Sequence, residues 1–417
     1  MACLLRGLSP HVASGSRIVS PDVGAANACK RSAMRGPNSL PAVSPLWKSI
    51  SSLRGLAMCL VVANHAIRAS SGAFIAAYPS VQPGVSPAAF LMILLLRSLT
   101  PACLVAFFFA SGFTAFRFFT DAKSSRVAAA QITRKYLMWS ALMLAFQLLQ
   151  GREIGLRDAA KALMLGTTQP AYWFLVVIGV LVVSTPIWVR LVRTRARWSF
   201  ASATALQVAS CAFFYLAVRG GDPLSPWELF IVRPVQFLPS FLAGMWVSRN
   251  ADRVAVLLHR YRRLLISLSG VAAVTTVAEA YVLWETAGFT LQGPQPMFAT
   301  ERATLIAFAL VAISTVIGTE IQNPRLANWL KGVGNSSLGI MLLMDFCIGI
   351  VIAGLWHLPP LVSDAAATAL RQHRLAPGIA EYALWLTPGL FVAGLWGPLR
   401  IMEWVRRLAG TRVRYLW

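Results

Sequence analysis

Long apolar stretches separated by short charged ones dominate this chain, and nowhere does the apolar–polar alternation of a surface strand compete with them. Ten stretches approach the length of about 20 apolar residues that a helix needs to cross a hydrocarbon core: 53–70, 98–119, 136–150, 172–189, 199–218, 229–248, 264–284, 303–319, 334–356 and 382–404. The third and eighth are short. The second can begin as early as Pro87, because Arg97 only interrupts an apolar stretch that starts there. No internal repeat is visible. Inside a bilayer the backbone amides and carbonyls must bond within their own segment, which favours helices. The pattern predicts an all-α, polytopic integral membrane protein with ten transmembrane helices in one domain over 48–405.

The charges give the orientation. With the first span running outward, the loops after even-numbered spans and the C-terminus hold 21 basic residues against four acids. The loops after odd-numbered spans hold eight of each, Glu301 and Arg302 among them, and the segment through Arg54 adds seven basic residues on the first side. By the positive-inside rule both termini are expected in the cytoplasm. Residues 1–47 hold one acid, Asp22, and no apolar core long enough for a signal peptide. A disordered extension is expected there, or a true start at Met34 instead of Met1; the basic, acid-poor character is also weakly that of a transit peptide. Residues 406–417 read as a short basic cytoplasmic tail.

Composition sharpens this picture. Apolar residues make up 57% of the 417 and charged ones 13%, whereas soluble domains have roughly 45–50% and 25%. A soluble enzyme is excluded. The formal charge of +23 would suit a nucleic-acid module, but such a module needs a polar body to carry it, and none is present. The six cysteines form no CxxC pair and have no histidine at metal-ligand spacing. They read as small hydrophobes, and neither a metal site nor a permanently bound cofactor is expected.

Once loops and tails are subtracted, Arg97, Arg233, Glu279, Asp345 and His65 remain in or near spans. An ionisable group at the centre of a membrane helix costs about 2.5–3.5 kcal/mol, so such residues are candidates for function. Arg97, Arg233 and Glu279 lie toward outer ends and can alternatively snorkel to the surface. Asp345, near mid-span, needs a partner or a water-filled cavity. Arg54 and His65 are eleven residues apart, which is roughly 20° beyond three helical turns and a rise of about 16 Å. They therefore share one helix face, with Arg54 at the cytoplasmic mouth and His65 in the membrane interior. An arginine at the mouth suits a phosphate-bearing ligand. A deep histidine suits proton transfer from a hydroxyl, or an interhelical hydrogen bond.

Six segments in register resemble membrane acyltransferase family 3. Leu53-Arg54-Gly55-Leu56-Ala57 through His65 is similar to the family's opening, an Arg and a His separated by ten residues. Phe107-Phe108-Phe109-Ala110-Ser111-Gly112-Phe113 resembles its FFxxSGF segment, Arg134-Lys135-Tyr136 its basic pair, and Tyr172-Trp173-Phe174-Leu175 its WFL. The stretch from Phe237 to Met245 resembles the later FxxG, and Gly334 to Leu343 the SxGIYL signal. Two departures stand out: where the family often has a histidine after SxGIYL this chain has Met344 and Asp345, and the proline after the basic pair is missing.

The resemblance implies an integral-membrane O-acyltransferase of the bacterial inner membrane, in the stand-alone form without a fused extracytoplasmic hydrolase-like domain. Its co-substrate would be cytoplasmic acyl-CoA, most often acetyl-CoA, and its acceptor a hydroxyl of an extracytoplasmic carbohydrate or glycolipid. On that reading His65 is the general base or a transient acyl carrier, with Asp345 or Glu279 orienting it. Arg54, Arg134 and Lys135 would bind the CoA phosphates. Arg97, Arg233 and Trp173 would bind the acceptor, the two arginines favouring an acidic glycan. Ser111 and Gly112 read first as small residues that let helices pack closely. The sequence leaves open a homo-oligomer and polysaccharide-assembly partners. It also leaves open a different class, a proton-coupled transporter or flippase of a polar or acidic solute, since intramembrane Arg, Glu, Asp and His serve carriers too.

Overall fold

The computed structural model of the chain describes residues 45–77, 87–149, 153–169, 171–220, 225–287, 299–319, 321–357 and 379–409. The expected N-terminal extension before residue 45 and the tail after 409 lie outside them. Every regular element among the described residues is a helix. The first is α1 (Pro45–Ala77), followed by α2 (Pro87–Leu99), α3 (Ala102–Phe118), α4 (Ala122–Leu149) and the short α5 (Leu156–Leu165). Next come α6 (Trp173–Val183), α7 (Thr185–Thr194), α8 (Ala196–Gly220), α9 (Pro226–Arg249) and α10 (Ala251–Arg260). The chain continues through α11 (Arg262–Ala287), α12 (Ala303–Thr319), α13 (Pro324–Asn335), α14 (Ser337–His357) and α15 (Ile379–Ala409).

All ten apolar stretches fall on these helices. Five of the helical segments are long and apolar enough to cross a membrane, and two bent pairs, α6 with α7 and α13 with α14, bring the number to seven. The stretches 136–150, 303–319 and 382–404 lie on α4, α12 and α15. The outer faces of α8 and α11 expose Leu206, Val208, Leu216, Ile266, Val271 and Val274, the inverse of a water-soluble surface. The protein is an integral membrane protein.

Local chemistry accounts for the breaks. Pro101 and Thr100 interrupt the α2–α3 stretch, and Pro186 in the first turn of α7 follows a bend of 56° after α6. Ser225 and Glu228 form a capping box at the start of α9, and Asn323 caps α13. At Ser336 the chain turns by 78° into α14. Gly166, at φ 72°, ends α5 with its amide bonded to Ala162 O, and a Cβ there would lie 2.5 Å from Trp173 Cα. Only glycine combines that left-handed backbone with so close an approach, and this seats the start of α6.

The core is centred on α1, α3 and α9. Two of the recognisable sequence segments are each other's packing surface: a Cβ on Gly112 would meet Phe241 O at 1.9 Å, and one on Gly244 would meet Phe109 O at 1.9 Å. Gly55 and Gly334 do the same for α1 and α13, where a Cβ on Gly55 would lie 2.0 Å from Leu330 O. Small residues admit a neighbouring backbone in this way, which is the main source of helix affinity where lipid is as apolar as leucine.

The Arg-rich loops share one end of the bundle. Trp47 packs on Phe118, Arg193 lies over Phe116, and Arg249 donates to Val192 O at 2.6 Å. Gly318 abuts Leu258, and Gly334 abuts Ser51. At the opposite end Ser70 meets Thr387 at 3.0 Å, so α15 runs counter to α1 and carries Arg400, Arg406 and Arg407 toward the basic end.

Candidate active site

Helix α1 carries Arg54 and His65 on the face that meets α14. At the basic end Arg54 Nη2 donates to Ser337 Oγ at 3.3 Å. Deeper in, His65 Nδ1 and Asp345 Oδ1 are 2.7 Å apart. The two rungs join the same pair of helices, eleven residues apart on α1 and eight on α14, so the helices rise together from the basic end. The contact leaves Nε2 as the ring nitrogen for chemistry. The second carboxylate oxygen, Asp345 Oδ2, is buried without a hydrogen-bond partner among the described residues. The side chains of His65 and Asp345 are 14% and 24% exposed, enclosed yet reachable.

Arg54 borders a cavity of about 60 Å³ whose wall includes Ser111, Thr114, Phe174, Ser337 and Met341. This explains two of the recognisable segments. Ser111 faces the cavity while Gly112, one residue on, faces α9, and Ser337 at the start of α14 is the acceptor for Arg54. The basic pair divides on α4: Lys135 is buried on the same side as the cavity-lining Ile132, whereas Arg134 is exposed on the outer side. Above the cavity the aromatic rings run in series. Phe174 packs on Phe108 (4.9 Å between centroids), Phe108 stacks on Phe237 (4.4 Å), and Phe237 stacks on Trp173 (6.0 Å). Tyr172, almost wholly buried, donates from its hydroxyl to Leu342 O at 3.1 Å, just before Asp345 on α14.

The other candidates fall in two further groups. Arg233 lies 4.0 Å over the Trp173 ring and 3.6 Å from Glu301. Glu279 is held elsewhere: Tyr215 and Thr304 donate hydroxyl hydrogens to its carboxylate, and Arg302 stands 3.7 Å away. It is therefore committed to that cluster, and the acid at His65 is Asp345. Arg97 sits half-buried near the end of α2, beside Ser98.

Arg302 and Glu301 lie in the non-helical segment between α11 and α12, where loop charges were expected, but they are not solvated: Arg302 is fully buried and Glu301 is 4% exposed. The Arg302 guanidinium donates to Thr276 O (2.9 Å), Ser98 O (2.8 Å) and Ala299 O (3.3 Å). It ties α11 and the end of α2 to the chain entering α12. Two residues past Ser98, Thr100 donates to Asn64 Oδ1 at 3.1 Å, directly beside His65. The signal missed in the sequence was the imbalance left by an intramembrane Glu279, which requires a buried cation nearby. No group of three or more His, Cys, Asp or Glu among the described residues is placed to hold a metal ion.

No curated protein and no solved structure matches the chain. A family model described as an acyltransferase domain matches residues 47–399. The match takes in both rungs between α1 and α14, the cavity and the aromatic series, so the chain belongs to acyltransferase family 3 and is an acyltransferase for groups other than aminoacyl groups.

Proposed function

We propose that the protein takes an acyl group, acetyl by preference, from acyl-CoA at its basic end and places it on a hydroxyl of a carbohydrate or glycolipid on the far side of the membrane. The observation that carries this reading is the alignment of an arginine at the basic end with a histidine–carboxylate pair deeper on the same helix pair. On this reading all ten apolar stretches cross the bilayer, both termini are cytoplasmic, and the membrane is a bacterial inner membrane.

Arg54 and the buried Lys135 receive phosphate oxygens of CoA, with the charge-assisted geometry arginine favours. The extended pantetheine arm is comparable in length to the rise of about 16 Å between Arg54 and His65, so the thioester reaches His65 while the phosphates stay at the mouth. Nε2 takes the proton of the acceptor hydroxyl as its oxygen forms a bond to the thioester carbonyl. The carbon–sulfur bond then breaks, and the imidazolium returns the proton to the leaving thiolate. Asp345 fixes the ring with its proton on Nδ1 and stabilises the imidazolium between the two transfers. No further cofactor is needed for this balance.

The test uses the purified protein with labelled acetyl-CoA and a panel of glycans, following free CoA and labelled glycan. The wild type should release both, His65→Ala neither, and Arg54→Ala should need far more acyl-CoA. Movement of a solute across vesicles with no acyl-CoA consumed would overturn the reading in favour of a carrier.

A further inference from the structure

The first turn of α6 stands between the histidine pair and a second polar place. Tyr172 reaches α14, while its neighbour Trp173 reaches Arg233 on α9. Arg233 Nε and Glu301 Oε1, 3.6 Å apart, are both buried and lack a hydrogen-bond partner among the described residues. The same is true of Gln236 Oε1 and Ser240 Oγ, which follow along the Arg233 face of α9 at three and seven residues. Gln236 and Ser240 are 0% and 1% exposed. Roughly 90% or more of buried polar groups in folded proteins are hydrogen-bonded, and inside a membrane an orphan costs several kcal/mol. Three such atoms within two turns of α9, with the Glu301 carboxylate beside them, therefore point to a polar ligand.

The charges and polarities select its class. Glu301 cancels the charge of Arg233, so a carboxylate or phosphate arriving there meets no net attraction and a carboxylate that repels it. The orphan atoms comprise one donor at Arg233, two acceptors at Glu301 and Gln236, and a serine hydroxyl that is both. Vicinal sugar hydroxyls, each of which donates and accepts, match that set. We propose that this face of α9 is the acceptor subsite and that it takes a neutral, polyhydroxylated ring, in place of the acidic glycan that the isolated arginines suggest. The proposal rests on the acyl-transfer reading for calling the ligand an acceptor.

The test is binding of the labelled protein in nanodiscs to an array of neutral, uronate-bearing and phosphorylated glycans, with no acyl-CoA present. Wild type should prefer neutral glycans over uronates about tenfold or more, the effect of one hydrogen-bonded charge. Glu301→Gln should move that ratio at least tenfold toward uronates, and the double change Arg233→Gln with Glu301→Gln should restore the neutral preference. Gln236→Leu should lower neutral binding about tenfold without changing the ratio. A wild type that prefers uronates, binds no glycan, or shows a ratio unmoved by Glu301→Gln overturns the proposal. Were the array pattern present while the wild type consumed no acyl-CoA, the donor reading would fall and the subsite would stand.

Discussion

Asp345→Asn removes one charge and almost no volume at the contact with His65. In the wild type the ring nitrogen and the carboxylate oxygen are 2.7 Å apart, within the range of charge-assisted bonds. An amide offers a neutral oxygen, or turns its NH2 toward Nδ1 and drives the ring proton to Nε2, the nitrogen that must be empty to accept the substrate proton. A hydrogen bond to a charged group contributes about 1.5–3 kcal/mol, and in the proposed mechanism it is spent on the imidazolium formed as the acceptor proton is taken. The expected loss is therefore in kcat, about 10–100-fold, with KM for acyl-CoA within about twofold because Arg54 is about 16 Å away along the helix. Release of CoA measured over a range of acyl-CoA concentrations separates the two constants. Asp345 Oδ2 is buried and unpartnered, so removing the charge should leave the melting temperature at or above that of the wild type. An unchanged kcat, or a raised KM at constant kcat, refutes the assignment of Asp345 as the residue that positions His65.

Arg54→Ala should raise KM for acyl-CoA about tenfold or more while single-turnover chemistry at saturation is largely kept, as expected for lost binding of a phosphate; an unchanged KM contradicts a donor mouth at Arg54. Gly244→Ala places a methyl group 1.9 Å from Phe109 O, so α3 and α9 must part, at a cost of about 1–3 kcal/mol read as a lower melting temperature; Gly270→Ala, with nothing within 4 Å of its Cβ, should melt like the wild type. Arg302→Met strands the Glu279 carboxylate and three carbonyls, and thermal unfolding should show a loss of about 3–5 kcal/mol, partly recovered by the double change Arg302→Met with Glu279→Gln.

The helices were legible because twenty apolar residues in a row have few other solutions in a bilayer. The breaks inside those runs were not: the bends at Ser184 and Ser336 and the short amphipathic helices α7, α10 and α13 vanish when hydropathy is averaged over a span-length window. The Arg54–His65 alignment was readable from spacing alone, since a single helix fixes it. Which acid meets His65 was not, because Asp345 and Glu279 are equally ionisable in sequence, and only packing shows that Tyr215, Thr304 and Arg302 have claimed Glu279. The burial of Glu301 and Arg302 was hidden for a related reason. A charged pair next to an apolar run reads as a loop until the partner that permits its burial is known, and for Arg302 that partner is 23 residues earlier in the chain.

An acyl group that enters beside Arg54 and is transferred at His65 toward the other end of the bundle must pass from one side of the membrane to the other. Sealed vesicles holding the protein in one orientation, with glycan inside and labelled acetyl-CoA supplied only at the basic end, test it directly. Labelled glycan should appear inside the vesicles with wild type and none with His65→Ala at equal folded protein. Equal label with both proteins, or label only on glycan supplied at the basic end, would contradict it.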